Sequence, residues 1–141
     1  MRKVYFCGSI RGGRDDVYLY REIICLIKSY GNSVLTEHIA SPEVFGLEKD
    51  KSDHDIWVQD MEWLSQADLV IAECSTPSLG VGYELAEAKH LNKKSVVFAR
   101  KKERSSSLSA MIAGDPYYDI YLYSSEEELF DQLRNLLENN R

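Results

Sequence analysis

Leu69-Val70-Ile71-Ala72-Glu73, followed by Cys74-Ser75-Thr76-Pro77-Ser78-Leu79-Gly80-Val81-Gly82-Tyr83-Glu84, decides how this chain is read. The first five residues are almost continuously apolar. Such a run predicts a strand covered on both faces, as in a parallel sheet. Ser75–Gly82 reads as a loop rich in Gly, Pro and Ser, and Tyr83–Leu91 as the helix that follows.

Outward from this stretch the same alternation repeats. Lys3–Cys7 is a short apolar run ended by Gly8. Asp15–Tyr30 places Val17, Tyr20, Ile24 and Ile27 at helical spacing, with Gly31 as its stop. Ser33–Thr36 predicts a second strand, followed by a polar loop containing Pro42 and Gly46. Lys51–Ala67 predicts a helix with Trp57, Met61 and Leu64 on one stripe. Ser95–Phe98 predicts a fourth strand, Leu108–Gly114 a short helical turn, Asp119–Leu122 a fifth strand and Glu126–Asn139 a closing amphipathic helix. Lys101–Ser107, basic and serine-rich, reads as a mobile loop. Five strands alternating with helices predict an α/β fold: a flavodoxin-like three-layer sandwich around a parallel sheet in the order 2-1-3-4-5.

The chain has 141 residues, which predicts one domain spanning 1–141. Its net charge of −6 argues against a nucleic-acid polymer as partner, because backbone binding needs a broad basic surface. No apolar run approaches the roughly 20 residues that span a bilayer. Met1-Arg2-Lys3 leads straight into the first strand pattern, which predicts no signal peptide and a cytoplasmic protein, or a nuclear one in a eukaryote. Cys7, Cys25 and Cys74 form no paired motif, and His38, His54 and His90 lack metal-ligand spacing. No metal site is expected.

In such sheets ligands bind beyond the carboxyl ends of the strands, at the switch point between strands 1 and 3. There the sequence supplies Gly8-Ser9-Ile10-Arg11-Gly12-Gly13-Arg14 and Ser75–Glu84. Glycines allow close approach, helix N-termini present free N–H groups, and Ser9 and Ser78 add hydroxyls: the parts of a phosphate cradle, or of a Gly-rich turn with no ligand. Glu84, placed in the first turn or so of its helix, reads as an ionised carboxylate able to attack an anomeric carbon, or as a plain capping glutamate. Asp60 shares a stripe with Ile56 and Trp63. Desolvation there would raise its pKa and make it a proton donor; the alternative is a solvated edge position. Tyr5 lies near the end of strand 1, where its phenol would hold a catalytic carboxylate or simply pack in the core. Trp57, Tyr117, Tyr118 and Tyr121 receive no role beyond packing.

Tyr5–Gly13, Leu35-Thr36-Glu37-His38, Gln66–Glu73, Pro77–Leu85 and Leu108-Ser109-Ala110-Met111-Ile112 occur in this order. Together they resemble the 2′-deoxynucleoside 5′-phosphate N-hydrolases of the nucleoside 2-deoxyribosyltransferase superfamily. The resemblance covers nearly the whole chain. It implies a homodimer without cofactor that takes a small nucleotide. Glu84 would attack C1′, Tyr5 would orient Glu84, and Asp60 would protonate the leaving base. It places substrate contacts at Gly8, Ser9, Ile10, Arg11, Gly12, Ser78, Gly80 and Met111, with His38 and Ile39 near the base and Ser109 donated to the partner's site. Superfamily members acting on unphosphorylated nucleosides carry acidic groups where this chain has Pro77-Ser78-Leu79-Gly80, which favours a phosphate here. The Tyr5 hydroxyl would occupy the room of a 2′-OH, which favours the deoxy sugar. The alternatives are a deoxyribosyltransferase, a CMP-type ribonucleotide N-hydrolase and a catalytically silent nucleotide sensor.

Overall fold

The computed structural model describes residues 1–11, 13–41, 43–102 and 108–139. Along the chain it forms β1 (Lys3–Cys7), α1 (Val17–Ser29), β2 (Ser33–Val34), a 3-10 turn (Glu37–Ala40), α2 (Val44–Glu48) and α3 (Asp53–Gln66). β3 (Leu69–Glu73), α4 (Leu79–His90), β4 (Ser95–Arg100), α5 (Ala110–Ala113), β5 (Asp119–Tyr123) and α6 (Glu126–Asn139) follow. The strands pair in parallel in the order β2-β1-β3-β4-β5. That is the expected topology.

Alternation along each strand sends side chains to opposite faces. Val4, Phe6, Ile71, Val96 and Phe98 bury against Tyr20, Ile23 and Ile27 of α1 and Leu129, Leu133 and Leu137 of α6. Tyr5, Cys7, Val70, Ala72 and Val97 face the other way, against Leu64 of α3 and Leu85 and Ala88 of α4. The amphipathic stripes read from the sequence therefore separate into two helical layers around one sheet. Gly31, at φ +84°, supplies the left-handed residue that ends α1; its N–H donates to the Lys28 carbonyl at 2.9 Å.

The edge strand is shorter than the sequence suggests. β2 holds only Ser33 and Val34. Thr36 nevertheless extends the pairing through its side chain: its hydroxyl accepts from the Phe6 N–H at 2.9 Å and donates to the Phe6 carbonyl at 2.7 Å. The polar segment expected after it contains two short helical pieces, the 3-10 turn and α2, because Ile39, Ala40 and Val44 have core to reach. Pro42 lies outside the described residues, as do residues 103–107 of the loop read as mobile.

The largest correction concerns α4. It starts at Leu79, not Tyr83, and takes in Gly80 and Gly82. Ser78 caps it: its hydroxyl oxygen accepts from the Val81 N–H at 3.3 Å. A serine cap outweighs two helix-breaking glycines at the end of a helix, where the first amides lack partners in any case. Glu84 consequently sits in the second turn, facing back across the strand ends.

Candidate active site

A cleft of about 510 Å³ opens at the carboxyl ends of β1 and β3, the switch point of the sheet. Three groups of residues line it. Gly8, Ile10 and Arg11 come from the turn after β1. Ser78, Leu79, Gly80, Tyr83 and Glu84 come from the start of α4. Asp53, Ile56, Trp57, Asp60 and Met61 form one face of α3, with Glu48 added from α2.

Glu84 is partly buried, and its Oε2 is fully buried without a hydrogen-bond partner. Burial raises its pKa to about 7; the charge of Asp60 adds to the rise, while hydrogen bonding with Tyr5 and Cys7 opposes it. Tyr5 is fully buried on β1, on the face that meets α3 and α4. Burial, then the Glu84 charge, keeps its phenol protonated far above the usual range, so it remains a donor towards the carboxylate. Cys7, two residues along the same face, is raised for the same two reasons.

Asp60 is half-buried on the cleft face of α3. Burial first, and the Glu48 charge second, push it to about 6, against the counter-pull of Lys51. The helix is fixed at its start by a capping box: the Ser52 hydroxyl accepts from the Asp55 N–H at 3.0 Å, and Asp55 accepts from the Ser52 N–H at 3.2 Å. One cleft thus contains two carboxyl groups that titrate close to neutrality through different surroundings.

The opposite side of the cleft is built from α4 and the β1 turn. The Ser78 hydroxyl oxygen is used in capping, but its proton stays free to donate, and the Leu79 and Gly80 amides open the helix beside it. A Cβ placed on Gly80 would stand 3.8 Å from Ser78 Oγ and 4.0 Å from Glu84 Oε1, in the space between cradle and carboxylate. Gly8 has no room for a side chain at all, since a Cβ there would meet the Tyr20 ring at 2.8 Å. The Tyr20 hydroxyl accepts from the Ser9 N–H at 3.0 Å. The Ser9 backbone is therefore engaged, while its buried hydroxyl has no partner. Arg11 reaches across the mouth to Asp53 at 3.0 Å; both are exposed, so the pair is easily exchanged for another anion.

Beneath the second loop runs a polar frame. Arg100 makes a two-pronged contact with Asp16 (2.8 and 3.0 Å), and the Thr76 hydroxyl donates to the same carboxylate at 2.9 Å. Burial raises Asp16, but the hydrogen bonds from Arg100 and Thr76 outweigh it and hold the group below the usual carboxylate range. Next to it the buried Glu73 accepts from the Ser75 N–H (2.7 Å), the Ser75 hydroxyl (2.8 Å) and the Tyr123 hydroxyl (2.6 Å). These bonds tie the loop that leads into Ser78 to α1, β4 and β5.

Of the residues expected from sequence, the structure brings Gly8, Ile10, Arg11, Asp60, Ser78, Gly80 and Glu84 to one cleft, with Tyr5 beneath it and Ser9 buried beside it. Gly12 lies outside the described residues. His38 and Ile39 do not line the cleft. Ile39 is in the core against α1, and His38 packs on Trp63, with Nε2 3.7 Å from Glu48. The 3-10 turn swings this segment under α2, and Glu48 occupies the place at the cleft wall. Ser109 caps α5 and lines a neighbouring cavity of about 320 Å³ that shares Ser78 and Leu79, while Met111 is exposed on α5; neither reaches the cleft within one chain. Trp57 was given no role by the sequence, yet it lines the cleft and donates from Nε1 to the Tyr83 hydroxyl at 3.2 Å. Its signal was available, since Ile56, Trp57, Asp60 and Met61 share one helical face. Glu48 had none, because no helix was expected around it.

Residues 4–139 match the profile of the nucleoside 2-deoxyribosyltransferase family. The chain is 41% identical over 136 residues to a zebrafish (Danio rerio) protein named 5-hydroxymethyl-dUMP N-hydrolase, covering 96% of this chain and 92% of that one. It is 50% identical over 113 residues to the human (Homo sapiens) protein of that name, covering 79% of this chain and 64% of the relative. Among solved structures, the Clostridium botulinum CMP N-glycosidase BcmB superposes with a TM-score of 0.69 at 18% identity, over 96% of this chain and 99% of that one. A deoxyribosyltransferase from Leishmania mexicana gives 0.65 at 16% identity with full coverage of both, a likeness of fold. By the profile match across the sheet and its cleft, and by these relatives, the chain belongs to the nucleoside 2-deoxyribosyltransferase family.

Proposed function

We propose that this chain is an enzyme that hydrolyses the N-glycosidic bond of 2′-deoxynucleoside 5′-monophosphates, releasing the free base and 2-deoxyribose 5-phosphate. The observation that carries the reading is the pair Glu84 and Asp60 in one cleft, each carboxyl group shifted towards neutrality, beside a capped helix start suited to an anion. Relatives named as hydrolases of a deoxynucleotide support the choice of bond and substrate.

In the first step the ionised Glu84 attacks C1′. The C1′–N bond breaks, its electron pair goes to the base, and Asp60 supplies the proton that makes the base a competent leaving group. The product is a glycosyl ester on Glu84. In the second step Asp60, now a carboxylate, takes a proton from water. The oxygen attacks C1′ and Glu84 is released, as in retaining glycosidases. Tyr5 orients Glu84, and its hydroxyl leaves no room for a 2′-OH. Ser78, the Gly80 amide, Ser9 and Arg11 hold the 5′-phosphate through charge-assisted bonds.

The unit works as a single domain, 1–141, in a homodimer whose Ser109 completes the partner's site. The exposed Met111 and Leu79 beside the second cavity support an apolar contact there. The test is base release from a panel of deoxy- and ribonucleoside monophosphates, each with its unphosphorylated control, for wild type and Glu84→Ala. Activity confined to phosphorylated deoxynucleosides and lost in Glu84→Ala is expected. Equal rates for the two proteins refute the nucleophile, and exchange of the base for an added free one in place of hydrolysis makes the enzyme a transferase.

A further inference from the structure

Arg14 closes the glycine-rich turn after β1 and does not line the cleft, so the proposed chemistry gives it no task. Its backbone is fixed where α1 begins, its carbonyl accepting from the Val17 N–H at 3.3 Å. Its guanidinium joins two segments that are far apart in sequence. Nη1 donates to the Ser9 carbonyl at 2.8 Å, while Nη2 donates to the Ile39 carbonyl at 2.6 Å and the Ser41 carbonyl at 2.8 Å. Burial lowers the pKa of the group, yet a guanidinium stays charged throughout the working pH range. Each of these bonds is therefore charge-assisted.

Each end of the bridge leads to a wall of the cleft. The Tyr20 hydroxyl already holds the Ser9 N–H at 3.0 Å, so Arg14 fixes the other backbone group of the same residue. Ser9 stands between Gly8 and Ile10, which line the cleft with Arg11. At the other end, the Ser41 carbonyl also accepts from the Val44 N–H at 3.2 Å, and the Ser41 hydroxyl accepts from the Glu43 N–H at 3.2 Å. The bridge thus meets the start of α2, which brings Glu48 to the cleft wall. We infer that Arg14 is a positioning residue for the nucleotide's phosphate: by tying the Ser9 carbonyl to those of Ile39 and Ser41, it holds the Gly8–Arg11 turn preformed and at a set distance from α2. The inference rests on the proposed hydrolysis only in naming phosphate as the group this turn receives. A turn fixed before binding spares the ligand the cost of ordering it.

Two variants test the bridge. Arg14→Lys keeps the charge but replaces the fork by a point charge that cannot span both segments; Arg14→Met removes both. In each, KM for a deoxynucleoside 5′-monophosphate and Kd for 2-deoxyribose 5-phosphate rise by roughly ten- to thirtyfold, while kcat stays within about threefold and the pH midpoints do not move. Residue-resolved amide hydrogen exchange quickens at Ile10 and Arg11 and at Leu47 and Glu48 together, while Leu85 and Ala88 of α4 keep their protection. A role in stability alone lowers Tm but leaves KM and Kd of the folded variants at wild-type values, and that result overturns the inference. Full rescue of KM and Kd in Arg14→Lys overturns it too, since charge without the bridge then suffices. If wild type releases no base, the hydrolase reading falls by itself. Exchange then decides the bridge: loosening of one segment only, or of neither, in Arg14→Met refutes it.

Discussion

The pH profile of base release separates the two carboxyl groups and puts a magnitude on each. On the proposed mechanism the reacting form needs Glu84 ionised and Asp60 protonated. Burial and neighbours place Glu84 at about 7 and Asp60 at about 6, so the two groups titrate in the less convenient order. With those values the productive combination peaks midway, near about pH 6.5, and comprises roughly one molecule in twenty. The plot of kcat/KM against pH is therefore a bell that approaches a tenfold loss per pH unit only below about pH 6 and above about pH 7. The assay is initial-rate release of base from about pH 4.5 to about pH 9 at constant ionic strength. Asp60→Asn supplies the control. It cannot donate a proton, so the rate falls by about a hundred- to ten-thousandfold, and the alkaline limb disappears with it. The remaining acid limb then reports Glu84 alone, with its midpoint below about 7 because the Asp60 charge that helped to raise Glu84 is gone. The substrate phosphate titrates near about 6 as well, but it does so equally for both proteins. A wild-type plateau extending past about pH 8, or an alkaline limb that survives in Asp60→Asn, refutes the assignment of Asp60 as the acid.

Four further outcomes follow from the same geometry. Glu84→Gln raises stability by up to roughly 3 kcal/mol at about pH 8 and by little at about pH 4, measured by denaturant unfolding. A carboxyl raised in the folded state binds extra protons there, so its cost appears only as pH climbs past the unfolded value, from about 4.5 towards about 7. Gly80→Ala leaves the fold intact or stabilises it by about 1 kcal/mol, since alanine suits a helix better, yet lowers kcat/KM because its Cβ enters the space between Ser78 and Glu84. Gly8→Ala destabilises by about 1–3 kcal/mol, read as a drop in Tm, because its Cβ meets the Tyr20 ring at 2.8 Å. Asp16→Asn weakens a charge-assisted fork and costs about 1–3 kcal/mol near neutrality. Asp16 is held low in the folded state, so that loss shrinks as pH falls through the carboxylate range, and KM rises as the Thr76 anchor loosens.

The sheet was legible because its signals are long-range averages. Leu69–Glu73 carries enough apolar residues to name a central strand, and the stripe of α6 names its buried face without reference to anything distant. β2 was overread for the converse reason. Thr36 looks like a strand residue because its side chain, not its backbone, makes the bonds to Phe6. The start of α4 was missed because glycine lowers helix propensity wherever it occurs, while its effect on stability depends on position. At the first turn Gly80 gives up no intrahelical bond that another residue would have made. Glu84 itself was found from the loop before it. Glu48 was not, because the short α2 that carries it exists only by packing Val44 into the core.

The two carboxyl groups of the cleft also explain why its frame is built so heavily. Each is raised chiefly by removal from water, and each raises the other or is raised by a third acid, so the native state holds charge that the unfolded chain would hold more cheaply. That burden is offset close by. The Asp16–Arg100 fork and the triply bonded Glu73 lie directly under the loop that delivers Ser78, and neither touches the cleft. A frame of satisfied polar groups below lets unsatisfied ones persist above: Glu84 Oε2, the Ser9 hydroxyl and Glu48 Oε1 remain open in the described structure. On the reading proposed for this chain, a nucleotide meets the first two, at sugar and phosphate respectively. Binding free energy is then spent most where the fold itself left partners missing.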